Sequence, residues 1–139
     1  MSIRWTLDEA WQAVGSAHTG ILTTLRRDGV PIALPVWFAV EDRTVVMMTP
    51  AGTKKIARVR HDPRASFLVE SGERYVDLRA VHLTGRVEFV GDAAATARIE
   101  AAVDEKYAAF ARLRTACPQP PRRTTPNRFS CASCRTAES

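Results

Sequence analysis

The chain lacks most of the arrangements from which active sites are built. Its three histidines, His18, His61 and His82, are scattered. No G-x-S-x-G, H-E-x-x-H or G-x-x-x-x-G-K-[ST] occurs, so a hydrolase, a zinc protease and a nucleotide-binding loop are left without their motifs. No spacing among the carboxylates singles out a general acid and its base. Cysteine is confined to Cys117, Cys131 and Cys134. The last two form C-x-x-C, but no second Cys or His pair follows to complete a tetrahedral zinc site, and no strand-to-helix redox context surrounds them. These thiols read as incidental: no metal site is expected, and no catalytic side chain is nominated. A run of roughly 18 apolar residues is also missing, so no spanning helix and no membrane partner are expected. The first residues, MSIRWTLDEAW, carry acidic side chains where a signal peptide would have its apolar run, which makes the cytoplasm the expected compartment. There are no internal repeats.

What is present suits one globular domain. A chain of 139 residues buries a core without staples. The net charge of +5 invites a nucleic-acid reading, but much of the excess sits in two places. One is the 54–64 segment, with Lys54, Lys55, Arg58, Arg60 and Arg64. The other is the tail, with Arg112, Arg114, Arg122, Arg123, Arg128 and Arg135. A basic patch attracts any polyanion, a phosphorylated cofactor included. Binding to nucleic acid would need exposed aromatics interleaved with the basic residues, and the 54–64 run has none before Phe67. No nucleic-acid partner is expected.

Along the chain, residues 7–17 fit a short amphipathic helix, with Thr6 as N-cap, Glu9 at the third helical position, and Ala10, Trp11 and Val14 on one face. A strand over 18–25 leads into Arg27-Asp28-Gly29, a turn of the kind hairpins favour. Residues 30–40 then alternate: Val30, Ile32, Leu34, Val36, Phe38 and Val40 define one buried face. The other face, Pro31, Ala33, Pro35, Trp37 and Ala39, is small or aromatic rather than charged. It therefore predicts an apolar cover: a partner subunit, a flat ligand, or both. Two prolines predict a bulge or an edge near Pro35.

Glu41-Asp42-Arg43 turns the chain into a strand over 44–49, broken by Pro50-Ala51-Gly52. A two-turn helix over 53–61 turns Ile56 and Val59 inward, with Lys55 and Arg60 flanking and Lys54 and Arg58 pointing away. Asp62-Pro63 ends it. Strands are predicted over 65–71, 75–80 and 81–90, with Gly85 at a bulge or a close backbone approach. Asp92 caps a helix running to about Leu113, with Ile99, Ala102, Val103, Lys106, Tyr107 and Phe110 along one side. From Thr115 the apolar period vanishes, and a loose tail or extended arm is expected over 115–139. The domain itself is 1–114. Its fold class is mainly β, a six-stranded antiparallel split β-barrel with flanking short helices.

With no catalytic constellation of its own, an enzyme of this kind would lean on a bound cofactor. The 52–55 element is the candidate for holding one. A helix start offers unpaired N–H groups, Thr53 a hydroxyl, and Lys54 and Lys55 point charges. The bland alternative is that Gly52 ends the strand and the lysines solvate a helix face; for Arg58 the pattern favours solvated surface.

Several segments, taken in order, resemble the pyridoxamine 5′-phosphate oxidase-like split β-barrel family: TTLRRDGVPIALPVWF, the strand end at Thr49, TKKIARVRHDPRASF and LTGRVEFVGD. The similarity spans roughly residues 7–110 and is closest to the small group that uses FMN or the deazaflavin F420. It implies a homodimer with the cofactor in a cleft between subunits. It further implies that Pro35, Val36, Trp37 and Phe38 lie against the ring. Thr49 and the basic residues after it would bind the phosphate, with Lys55 resembling the family's lysine and Thr53 and Lys54 assisting. The C-terminal arginine and histidine motifs of the vitamin B6 oxidases proper are missing. The tail keeps Pro126-Asn127-Arg128-Phe129-Ser130 but not the Ser-Trp-Asp-like ending usual in the group. The function implied is an oxidoreductase that moves a hydride between FMN or F420 and a small organic substrate. The alternative is a non-catalytic flavin, F420 or haem carrier or sensor on the same barrel.

Overall fold

The structure, a computed structural model, describes residues 5–111 and 124–138. Helix α1, Leu7–Ser16, starts at the capping box expected of it: the Thr6 hydroxyl accepts from the Glu9 N–H, and the Glu9 carboxylate accepts from the Thr6 N–H at 2.7 Å. Strand β1, Gly20–Leu25, buries alternate residues and is joined to β2, Pro31–Val36, through the Asp28-Gly29 turn. Gly29 sits there at φ +83°, a conformation that glycine adopts without strain. Then come β3, Ala39–Glu41, and β4, Thr44–Pro50. The turn between them places Asp42 and Arg43 at positive φ, and Arg43 is ion-paired to Asp8 of α1.

Helix α2, Lys54–His61, is capped by Thr53, whose hydroxyl accepts from the Ile56 N–H, and it buries Ile56 and Val59 as the wheel predicts. Strand β5, Arg64–Ser71, and β6, Arg79–Phe89, follow, with a register shift at Thr84/Gly85 where the glycine predicts a bulge. Helix α3, Ala93–Lys106, starts at Asp92, which accepts from the Ala95 N–H at 2.7 Å. Helix α4 is Ala108–Ala111, and β7 is Thr124–Glu138.

These strands form one antiparallel sheet in the order β2-β1-β5-β6-β7-β4-β3. Its two edges, β2 and β3, are consecutive in sequence and are joined by Trp37-Phe38 alone, so the sheet curls until its edges meet there. One apolar cluster gathers Val14, Leu22, Val36, Phe38, Met47, Phe67, Val81 and Leu83, residues from α1, from five of the strands and, in Phe38, from the link between β2 and β3. A smaller cluster packs Ile99 of α3 on Ala39 and Val46, covering the other side of β3 and β4.

The architecture departs from expectation in five places. The sheet has seven strands rather than six, and no ladder joins β2 to β3, so hydrogen bonding does not close a barrel among the described residues. The missing strand is β7. It occupies most of the expected loose tail and pairs with β4 on one side and β6 on the other. The strand over 30–40 is interrupted at Trp37-Phe38. On its predicted buried face Val36 and Phe38 are buried, whereas Val30, just before β2, and Leu34, within it, are 45% and 40% exposed, because β2 is an edge of the sheet. The separate strand expected over 75–80 does not form: Tyr75–Asp77 is a 3-10 turn closed by an Arg74–Asp77 ion pair, and Arg79 and Ala80 already belong to β6, where Ser71 pairs with Arg79 and leaves the intervening residues as a connection. The last helix breaks at Tyr107, whose side chain turns inward.

Close approach governs one glycine. A Cβ placed on Gly20 would stand 2.1 Å from Cζ of the fully buried Phe67. Gly20→Ala is therefore expected to cost about 1–3 kcal/mol, the usual penalty for overpacking a filled core, read as a lower urea midpoint at unchanged slope. An undiminished midpoint would mean that the Phe67 ring has room to move.

Candidate functional site

A groove of about 520 Å³ lies between α2 and the β1–β2 hairpin, lined by Arg26, Arg27, Ile32, Lys54, Ala57 and Arg58. Helical spacing explains half of this lining. Lys54, Ala57 and Arg58 are three and four residues apart and share one face of α2, while Arg26 and Arg27 come from the hairpin turn. Arg58, which the pattern assigned to solvated surface, is held in place instead: its Nε donates to the Thr24 hydroxyl at 2.8 Å, and Thr24 is 1% exposed on β1. Arg26 is paired with Asp28 at 2.8 Å. The other arginines near α2 have structural partners. Arg64 binds the C-cap residue Asp62 at 2.7 Å, holding that carboxyl's pKa down at about 2, and Arg60 lies 5.3 Å over the Phe89 ring.

The residues expected to bind a cofactor divide into two groups. Thr53, Lys54 and Lys55 stand together at the start of α2. Lys55 is half-buried, and burial first, then the charge of Arg58, lowers its pKa from the ordinary lysine value. No carboxylate among the described residues is ion-paired to it, so an anion delivered there would restore the charge that burial disfavours. Thr49 ends β4 with 2% exposure.

At the meeting of the sheet edges, Pro35 is exposed, Val36 is buried, and Phe38 is fully buried, so of these only Pro35 presents a side chain outward from this chain. Trp37 is 38% exposed, and one face of its indole is already stacked on Tyr107, with centroids 4.3 Å apart and planes 3° from parallel. His18 packs edge-on against Trp37, Tyr107 and Phe110. The Tyr107 hydroxyl accepts from the Phe38 N–H at 3.1 Å and donates to the His18 carbonyl at 2.6 Å, tying the α3–α4 break to the junction of β2 and β3.

Beside this cluster lies a group that the helical pattern recorded only as part of a helix face. The Lys106 ammonium is buried without a hydrogen-bond partner among the described residues, 3.7 Å over the Phe38 ring, and burial lowers its pKa to about 8. No grouping of His, Cys, Asp and Glu able to hold a metal ion occurs among the described residues, and none of their helices is long and apolar enough to cross a membrane. Cys131 and Cys134 fall in β7, whereas Cys117 lies outside the described residues.

No curated protein matches this chain. Solved structures do. A conserved hypothetical protein of Mycobacterium tuberculosis, Rv2991, is 29% identical with a TM-score of 0.81, over 98% of this chain and 86% of that one. A FAD-binding protein from Mesorhizobium loti is 18% identical with a TM-score of 0.76, over 95% and 92%. A heme-binding protein from Mycobacterium smegmatis is 19% identical with a TM-score of 0.73, over 99% of this chain but 60% of that one. At such identities the last two speak for the fold alone. The family model for pyridoxamine 5′-phosphate oxidase matches residues 7–129, which takes in β1 to β6, all of α2 and α3, and the start of β7. The chain belongs to the pyridoxamine 5′-phosphate oxidase-like family.

Proposed function

We propose that this protein binds FMN or the deazaflavin F420 between the subunits of a cytoplasmic homodimer and uses it to move a hydride to or from a small organic substrate. The observation that carries this reading is the junction of β2 with α2. An apolar edge strand leaves Val30 and Leu34 uncovered, and the nearby helix start presents Thr53, Lys54 and Lys55 with no acidic partner among the described residues. A ring with a phosphate-bearing side chain matches both needs. The apolar strand takes the ring and a second subunit, and the helix start takes the phosphate.

The bound cofactor would supply the two-electron chemistry. The chain's own part is to position and to exclude water. Pro35 and the free face of Trp37 would border the ring, with Val36 and Phe38 fixing the strand from the core side. Thr49 would hold the end of β4, and Lys55 would anchor the phosphate with help from Thr53 and Lys54. The stack of Trp37 on Tyr107 fixes the indole before any ligand arrives.

The absorption spectrum and mass of whatever copurifies, followed by titration with FMN and with F420, test this reading; binding of neither ends it. Lys55→Ala is expected to weaken cofactor affinity by tenfold or more, since one charge-assisted contact is worth about 1.5–3 kcal/mol. Unchanged affinity would remove Lys55 from the site. A second reading, a non-catalytic flavin, F420 or haem carrier or sensor, is favoured by the groove's lining, which contains cations and apolar side chains but no acid–base pair. Turnover separates the two: reduced cofactor oxidised with a small acceptor at steady state marks the enzyme, and binding without turnover marks the carrier.

A further inference from the structure

We infer that the uncovered outer face of β2, β1, β5 and β6 is where a second copy of this chain docks, and that His82 within it makes the pairing labile to acid. This deepens the homodimer proposed above by naming its face and what regulates it. It rests on that reading only in placing the cofactor at the rim of the contact.

Strand register defines the face. Residues directly opposite in antiparallel pairs point to the same side of the sheet. Two rows therefore run straight across the four strands: Pro35, Ile21, Leu68 and His82, and beside them Ala33, Thr23, Ser66 and Thr84. Their neighbours Leu22, Phe67, Val81 and Leu83 point the other way, into the core. Helix α3 takes the outer side of the sheet farther along, packing Ile99 on Ala39 and Val46 of β3 and β4. Over the two rows Pro35 and Ala33 are exposed and the rest half-buried, so nothing among the described residues closes over them.

Composition selects the occupant. Apart from His82 the rows carry no ionisable group. A strongly acidic or basic partner finds nothing to pair with there. An identical face meets it without opposing like charges, which is what a two-fold contact of one surface with itself requires. The first row also begins at Pro35, the outward side chain set beside the cofactor ring in the proposed function, so the contact is continuous with that cleft. Three strand spacings, roughly 14 Å, carry the row from Pro35 to His82.

Histidine ordinarily changes charge between pH 5 and 8. Around His82 stand Leu68 across on β5, and Ala80 and Thr84 two positions away on β6. The charged positions nearest to it are Glu70, diagonal to it on β5, and Arg135, opposite it in register on β7. One acidic and one basic position leave no net charge to hold an imidazolium in place. A second uncharged face laid over the ring removes its water, and a desolvated charge is costly. Protonation therefore favours the separated chains, and acid drives the copies apart.

Sedimentation equilibrium of the full chain without cofactor, at about pH 8 and about pH 5.5, tests the face. The expected result is a dimer whose dissociation constant rises at least tenfold on acidification. His82→Leu should hold that constant within twofold between the two conditions. His82→Lys should raise it at least tenfold even at the higher pH. Ala33→Glu, at an exposed position on the edge strand, should do the same while leaving the urea midpoint unchanged.

A monomer under both conditions overturns the inference. So does a dimer indifferent to Ala33→Glu, or acid dissociation that persists in His82→Leu. Cofactor binding is read separately by absorbance. An acid-labile, Ala33→Glu-sensitive dimer that binds neither FMN nor F420 supports this face and ends the cofactor reading, whereas a wild-type monomer that binds either keeps the cofactor and ends the inference.

Discussion

A chain ending at residue 123 is expected to lose its cooperative fold and to accumulate as insoluble or molten protein. Strand β7 stands between β6 and β4, paired with β6 over 127–138, from Phe89↔Asn127 to Arg79↔Glu138, and with β4 over 124–129, from Val45↔Phe129 to Pro50↔Thr124. Without it the sheet falls into two pieces. The larger, β2-β1-β5-β6, acquires an eleven-residue edge along β6, a template for pairing with other chains. The smaller is the β3–β4 hairpin, and an isolated hairpin is marginal in water. Val45, Val46 and Met47 of β4 are at most 1% exposed, drawing on both apolar clusters, so the hairpin cannot drift without opening both. Native stability is only about 5–15 kcal/mol, and losing a central strand exceeds it. Far-UV circular dichroism and size exclusion of the truncated chain check this. A sharp urea transition at the full-length midpoint would show that β7 is dispensable.

That strand was the least legible part of the fold, for a physical reason. A strand paired on both sides is stabilised largely by backbone hydrogen bonds, and TTPNRFSCASCRTAE carries no apolar alternation to announce it. Signals with local causes are legible: the Thr6–Glu9 box, the Asp92 cap and the Asp28-Gly29 turn each involve residues within a few positions of one another. Periodicity over 30–40 shows an apolar face but not what covers it, so the exposure of Val30 and Leu34 is not legible from it. In the candidate site, the start of α2 was visible as a strand break followed by threonine and lysines. Arg58 was not, since its partner Thr24 is 34 positions away and only the folded sheet brings them together. Lys106 is a similar case: its helix face was evident, the Phe38 ring beneath its ammonium was not.

Phe38→Ala is expected to be the most damaging single substitution among the residues near the candidate site, costing about 4–5 kcal/mol at the upper end of large-to-small core changes. Three contributions coincide on one ring. It is fully buried where the sheet edges meet, so its removal leaves a cavity lined by residues that the Tyr107 hydrogen bonds prevent from collapsing inward. It meets Phe67 edge-on at 4.8 Å, a contact worth about 0.5–1.5 kcal/mol beyond area. It also carries the Lys106 ammonium on its face at 3.7 Å, which at a desolvated site adds up to about 2 kcal/mol. Phe38→Leu keeps most of the volume and loses only the aromatic contributions, so it should cost about half as much or less. Urea unfolding followed by tryptophan fluorescence separates the two variants. Equal losses would assign the effect to the ring's electrostatics rather than to its volume. A loss under about 1 kcal/mol for Phe38→Ala would mean that the junction of β2 and β3 can close over the gap, and that Trp37 is not held in register for a ligand.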